Sequence, residues 1–238
     1  MAATSSASTT GPDPEVRRRR RVTAYRAVLF LVGAVGLVQA VYSGIADPGP
    51  ADFWIYFTFQ SNLILAVCFG ILTVQGLRGG AGPGVPPAVK GAATLYILIT
   101  GLVFNLLLAN PASPFYTVQQ ESHYVWHSVL LHVLCPLMAL GDWVFIGPRA
   151  RLRLRDALHW LGYPLAYLAF ALVRGAVVGG GTRYPYPFLD LTEHSGVAVT
   201  INCVCLAVFF WLLGTALVGI EAGLTRRWTR LAAQSVNP

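Results

Sequence analysis

The sequence predicts an all-α, polytopic membrane protein of six transmembrane helices with both termini in the cytoplasm, and three observations carry that expectation. The chain of 238 residues is 55% hydrophobic and only 11% charged, with a mean hydropathy of +0.58, against roughly 25% charged residues in soluble domains. Six apolar segments follow one another, at 22–44, 54–77, 88–109, 124–146, 157–178 and 197–220. Each is long enough to cross ~30 Å of hydrocarbon as a helix rising ~1.5 Å per residue. Third, the basic residues occupy alternate ends and loops: Arg17 to Arg21 with Arg26, Arg78 with Lys90, Arg149, Arg151, Arg153 and Arg155, then Arg226, Arg227 and Arg230. Only Arg174 and Arg183 of the 17 basic residues fall elsewhere, and Asp47, Asp52, Glu121, Asp190 and Glu193 gather in the intervening loops. Basic residues in short loops collect on the cytoplasmic side.

Residues 1–21 are expected to be a disordered basic cytoplasmic tail, because 1–16 are rich in Ala, Ser, Thr and Pro. Residues 22–220 then form the six-helix domain and 221–238 a cytoplasmic C-terminal tail. The first apolar run is longer than the core of a signal peptide and reads as a retained anchor. The net charge of +7 follows from topology and anionic lipid, so no nucleic-acid partner is implied. A single lysine among the basic residues, with abundant Ala, Gly and Val, suits a GC-rich bacterial genome and hence a bacterial plasma membrane. Cys68, Cys135, Cys203 and Cys205 all fall inside apolar segments and read as small fillers rather than disulfides.

In hydrocarbon an unpaired polar group costs several kcal/mol, so the polar residues within the segments either join helices or build a site. Thr58, Ser61 and Asn62 share one helical face at the outer end of the second segment, while Gln60 points elsewhere. The fourth segment carries His123, His127 and His132. His123 and His127 are spaced for one face near the interface, where a metal or haem could bind but a polar stripe is the commoner use. His132 lies deeper, with Ser128 and Pro136 one turn to either side, and a neutral imidazole there can act as a general base. Asp142 closes the segment too far along the helix to orient His132, and is expected to pair with the Arg149 to Arg155 cluster. Asn105 and Asn202 sit in the third and sixth segments and Arg174 near the outer end of the fifth. Tyr184 to Phe188 and Asp190 form a stiff aromatic loop that reads as an interfacial lid or belt. With no lysine assigned to a span a retinal Schiff base is excluded, and neither a phosphate loop nor a paired-cysteine zinc motif is present. No cofactor or metal is expected.

Tyr56-Phe57-Thr58-Phe59 followed by Asn62 and Phe69-Gly70, together with Leu131-His132 and Pro136, resembles the androgen-induced and androgen-dependent membrane hydrolases. Those proteins cleave fatty-acid esters of hydroxy fatty acids with an intramembrane threonine and histidine. Over residues 22–210 the chain also resembles bacterial six-span membrane proteins of the Pr-six-Pr type, through FTFQSNLI, LLHxxxPxxxxxDW, YPLAYLxxxLVRG and YPYPFLD. The resemblance implies Thr58 as nucleophile and His132 as its base. Asn62 or Asn105 would then donate to the oxyanion, with Asn202, Arg174 and Asp190 as further residues for a lipid-like substrate. Two other readings stay open. The polar cluster could hold a ligand or metal in a non-enzymatic binding or transport protein, with His123 and His127 as ligands and Arg174 or Asp190 as charged partner. Alternatively, it could only hold the helices in register, with Thr58 bonded to its own backbone four residues back.

Overall fold

Helix α1 (Pro14–Ala46) starts well ahead of the first apolar segment, because Asp13 caps it. The Asp13 carboxylate accepts from the Glu15 N–H at 2.9 Å and its carbonyl from the Arg17 N–H at 3.0 Å, while Pro14 sets the first helical φ. Arg17 to Arg21 are therefore helical, in place of the disordered tail expected there. The computed structural model describes residues 13–46, 52–80, 84–117, 126–147, 150–179 and 182–236; Asp47, Glu121, His123 and Arg149 lie outside them.

The remaining spans are α2 (Phe57–Leu77), α3 (Pro87–Leu108), α4 (Trp126–Ile146), α5 (Leu154–Val177) and α6 (Gly196–Val236). Together with α1 they are six helices long and apolar enough to cross a membrane, and no strand occurs among the described residues. The chain is a multi-pass, all-α membrane protein. Helix α6 runs past the expected end of the domain because neither glycine nor proline interrupts it after Gly223. Short 3₁₀ turns at Asp52–Ile55 and Pro187–Leu189 lie before α2 and α6.

Helix α3 sits at the centre, with Ala93, Leu95 and Ile97 wholly buried and α2, α4, α5 and α6 packed around it. Helix α1 lies along α2, where Gly33 admits Ala66 and Cys135 to contact distance. Leu31, Val35 and Val38 on α1 and Val197, Ile201, Val204 and Val208 on α6 are exposed at helical spacing, as stripes facing lipid.

Three π-helical turns widen the spans: Phe104–Leu108 ending α3, Leu130–Leu134 within α4, and Asp142–Ile146 ending α4. The last aims Asp142 into the bundle instead of toward the following loop. Its fully buried carboxylate accepts from Arg26 Nε on α1 at 2.9 Å and pairs with Lys90 Nζ of α3. The expected pairing with the Arg149 to Arg155 cluster is corrected accordingly. Lys90, assigned to a loop from sequence, is itself buried in the first turn of α3. A lysine thus does stand inside a span, engaged by Asp142 rather than left to react. Removing one partner of a buried ion cluster leaves uncompensated charge, at a cost of about 3–5 kcal/mol. Asp142→Ala is therefore expected to lower the unfolding temperature of the detergent-purified protein sharply; an unchanged transition would contradict the cluster's role.

Candidate active site

Among the threonines inside the spans, most spend their hydroxyl locally. Thr23, Thr73, Thr94, Thr100 and Thr200 each donate to the carbonyl four residues back, at 2.7–3.1 Å. Thr58 departs from this pattern. It is the second residue of α2, so the carbonyl four residues back belongs to Trp54 in the preceding 3₁₀ turn, and that oxygen accepts from Gln60 Nε2 at 3.0 Å instead. The Thr58 hydroxyl is left to reach across the bundle, where Oγ1 lies 3.2 Å from His132 Nε2.

His132 is held from its other side. Nδ1 lies 3.0 Å from both the carbonyl oxygen and the hydroxyl of Ser128, one turn earlier. A carbonyl can only accept, so Nδ1 carries the proton and Nε2 presents its lone pair to the Thr58 hydroxyl. Phe104 stacks on the imidazole with ring centroids 3.7 Å apart and planes 19° from parallel, fixing its plane.

The helix geometry that aims His132 follows from Pro136. Lacking an N–H, proline leaves the carbonyl four residues back, that of His132, without its helical partner. Asn105 Nδ2 takes up this oxygen at 3.1 Å while also donating to Gly101 O at 2.7 Å. In the adjoining π turns Cys135 N–H bonds Leu130 O and Ala109 N–H bonds Phe104 O, so α3 and α4 widen where they meet. Gly101 permits the approach: a Cβ there would stand 2.8 Å from Pro136 Cγ and 3.1 Å from the His132 carbonyl oxygen.

The other residues singled out from sequence divide into groups. Asn62 Nδ2 donates to Thr58 O at 2.9 Å and Leu131 O at 3.4 Å, joining α2 to α4 from directly below the Thr58–His132 pair. Ser61 bridges Thr58 O and the Thr100 hydroxyl at 3.2 and 2.7 Å. Gln60 accepts from Tyr163 at 2.7 Å. Arg174, Asn202 and Asp190 stabilise the aromatic loop. Arg174 donates to the Thr182 and Arg183 carbonyls and meets Asp52 at 3.4 Å. Asn202 donates to Phe188 O at 3.1 Å, and Asp190 accepts from the Thr192 N–H and hydroxyl. Of these three only Asp190 lines the cleft that Thr58 and His132 share, alongside His127 and Tyr186. Among the described residues no three His, Cys, Asp or Glu side chains converge into a metal-binding group.

Tyr186 is the contributor that sequence reasoning missed. The loop buries it against Thr58, and burial pushes its phenol up to about 12, opposed by hydrogen bonding with the Thr58 side chain and the backbone of Thr58 and Phe57. It therefore stays protonated at neutral pH, a neutral hydroxyl at the N-terminus of α2. The sequence showed only a stiff aromatic loop; nothing local connected it to a residue more than a hundred positions away.

These features define a membrane protein with a paired threonine and histidine inside its bundle, at the end opposite the arginine-rich helix starts. Scanned against protein-family models, curated proteins and solved structures, the chain matches none. Interhelical side-chain hydrogen bonds in a membrane average about 0.6 and reach about 1.7 kcal/mol. A double-mutant cycle of Thr58→Val and His132→Leu in thermal unfolding is expected to give a coupling in that range; additive effects would rule the bond out.

Proposed function

We propose that the chain is an intramembrane hydrolase of lipid esters with Thr58 as nucleophile and His132 as general base, working in a bacterial plasma membrane with both termini cytoplasmic. The observation that carries this reading is the 3.2 Å contact between Thr58 Oγ1 and His132 Nε2, with Nδ1 committed to the Ser128 carbonyl. Nucleophile, base and orienting acceptor form the relay by which a weak hydroxyl nucleophile is activated.

The chemistry runs in two steps. As Thr58 Oγ1 bonds to the ester carbonyl carbon, its proton passes to His132 Nε2. Collapse of the tetrahedral intermediate breaks the C–O bond, and the leaving alcohol takes that proton. Water then attacks the threonyl ester with His132 again as base, and the acid departs as Thr58 Oγ1 is reprotonated. The developing oxyanion needs donors, and the first-turn N–H groups of a helix suit it because they have no helical partners. The amides of Phe57 and Thr58, where the Tyr186 hydroxyl now stands, fit that task. Asn62 and Asn105 fit it less well, since their amides are bonded to backbone carbonyls.

Loss of an activating base commonly costs ~10²- to 10⁴-fold in rate. Thr58→Ala and His132→Ala are each expected to lower hydrolysis of a fatty-acyl p-nitrophenyl ester by that order, and Thr58→Ala to abolish labelling by a fluorophosphonate probe. Hydrolysis that survives both substitutions, in variants that still unfold cooperatively, would falsify the mechanism.

A further inference from the structure

Thr58 stands on the wall between two cavities. The first is the polar cleft under the aromatic loop, reached also by His127, His132 and Asp190. The second is an apolar chamber bounded by α3, α5, α6 and the loop, reaching from Thr58 and Phe188 past Ile99 to Leu161 and Phe210. Its few hydroxyls are occupied: Thr58 with His132, Thr100 with Ser61 and the Tyr96 carbonyl, Tyr167 with Ile55 O at 2.8 Å, and Tyr186 with Thr58 and the Phe57 backbone. Nothing else in the chamber wall asks for a polar ligand.

The helices around the chamber part toward the bilayer. Close packing of α5 on α6 lies in its first two turns, Leu154–Trp160. At Leu161 α5 breaks, because Pro164 removes the donor that the Trp160 carbonyl would otherwise bind. Beyond that break the two helices separate, and Leu165, half exposed, stands on the rim of the opening. The lining residues of α6 run from Cys203 to Phe210, a depth of ~10 Å along the helix. The free room is about 80 Å³, enough for roughly five to eight water-sized groups in a row. That room excludes a sterol or a pair of lipid tails and takes about that many methylene groups of one unbranched chain, the rest of which would extend through the opening into lipid.

We infer that this chamber is the acyl-chain subsite: a single unbranched fatty-acyl chain enters sideways between α5 and α6, its carbonyl carbon halting at Thr58 Oγ1 and the methylene groups nearest the carbonyl lying along Leu161 and Phe210. The alcohol portion of the ester then occupies the polar cleft, and the two products part in opposite directions, acid to lipid and alcohol to the cleft. The inference rests on the hydrolase reading for its carbonyl end, but the chamber and its opening between helices stand without it.

Two measurements test it separately from the reaction. In the first, the Thr58→Ala protein in lipid nanodiscs is irradiated with a fatty acid carrying a diazirine about six carbons from its carboxyl group, and the adducts are mapped by mass spectrometry. Adducts concentrated on 161–168 and 203–210 are expected; adducts confined to the outer stripes of α1 and α6, or none, would overturn the subsite. In the second, p-nitrophenyl esters from acetate to palmitate are compared in the intact protein and in Ala207→Phe, with Ala207→Leu as the milder filling. The ratio of palmitoyl to acetyl kcat/KM is expected to fall at least tenfold in Ala207→Phe and less in Ala207→Leu. An unchanged ratio in active variants would equally overturn it. Adducts in the chamber without hydrolysis of any ester would leave the chain subsite standing and remove the hydrolase reading instead.

Discussion

One buried carboxylate fixes the register of half the bundle. Asp142 draws Arg26 of α1 and Lys90 of α3 against α4, and in a low-dielectric interior such charges tolerate neither separation nor a one-turn slip. Asp142 and His132 lie on the same span about 15 Å apart along its axis. Holding α4 in height at one end therefore holds the imidazole opposite Thr58 of α2 and Asn105 of α3 at the other. The Thr58–His132 contact at 3.2 Å thus shares its span with the ion cluster that sets the height of α4.

The spans were legible from composition and from the spacing of arginines, since both follow directly from the thickness of hydrocarbon and the cost of placing charge in it. The pairing of Thr58 with His132 was legible only as an expectation carried by resemblance, although two local signals bear on it. A threonine at the start of a helix cannot bond backward, and a proline four residues beyond a histidine frees that histidine's carbonyl. What stayed hidden depended on contacts between distant segments. Lys90 looked like a loop residue until Asp142 was found facing it, Asp142 looked destined for the nearest arginines, and Tyr186 had no visible tie to α2. The start of α1 and the end of α6 were missed for a simpler reason: helices continue through charged sequence when a cap opens them and no breaker closes them.

The aromatic loop couples stability to access. Arg174 gathers the Thr182 and Arg183 carbonyls, the Arg183 guanidinium returns to Gly175 O at 2.9 Å, and Tyr184 lies so close over Gly175 that a Cβ there would meet its ring at 2.0 Å. These contacts seat Tyr186, which walls both cavities, and Phe188, which walls the apolar chamber. A cover held by that many bonds gives the polar cleft, about 610 Å³ in volume, a fixed roof, while the apolar chamber is closed by side chains alone where α5 and α6 part.

The three π turns carry a consequence for how this bundle tolerates change in length. A π turn holds one residue more than the α turn it replaces, and each residue of a helix turns its successors by about 100°. Deleting Val133 would therefore close the 130–134 turn to an α turn and leave the helix on either side near its present phase. The same deletion in the regular turns at 135–141 would swing Asp142 away from Lys90 by that angle. The π turns are thus slack in the count of residues, and the regular turns between them have none.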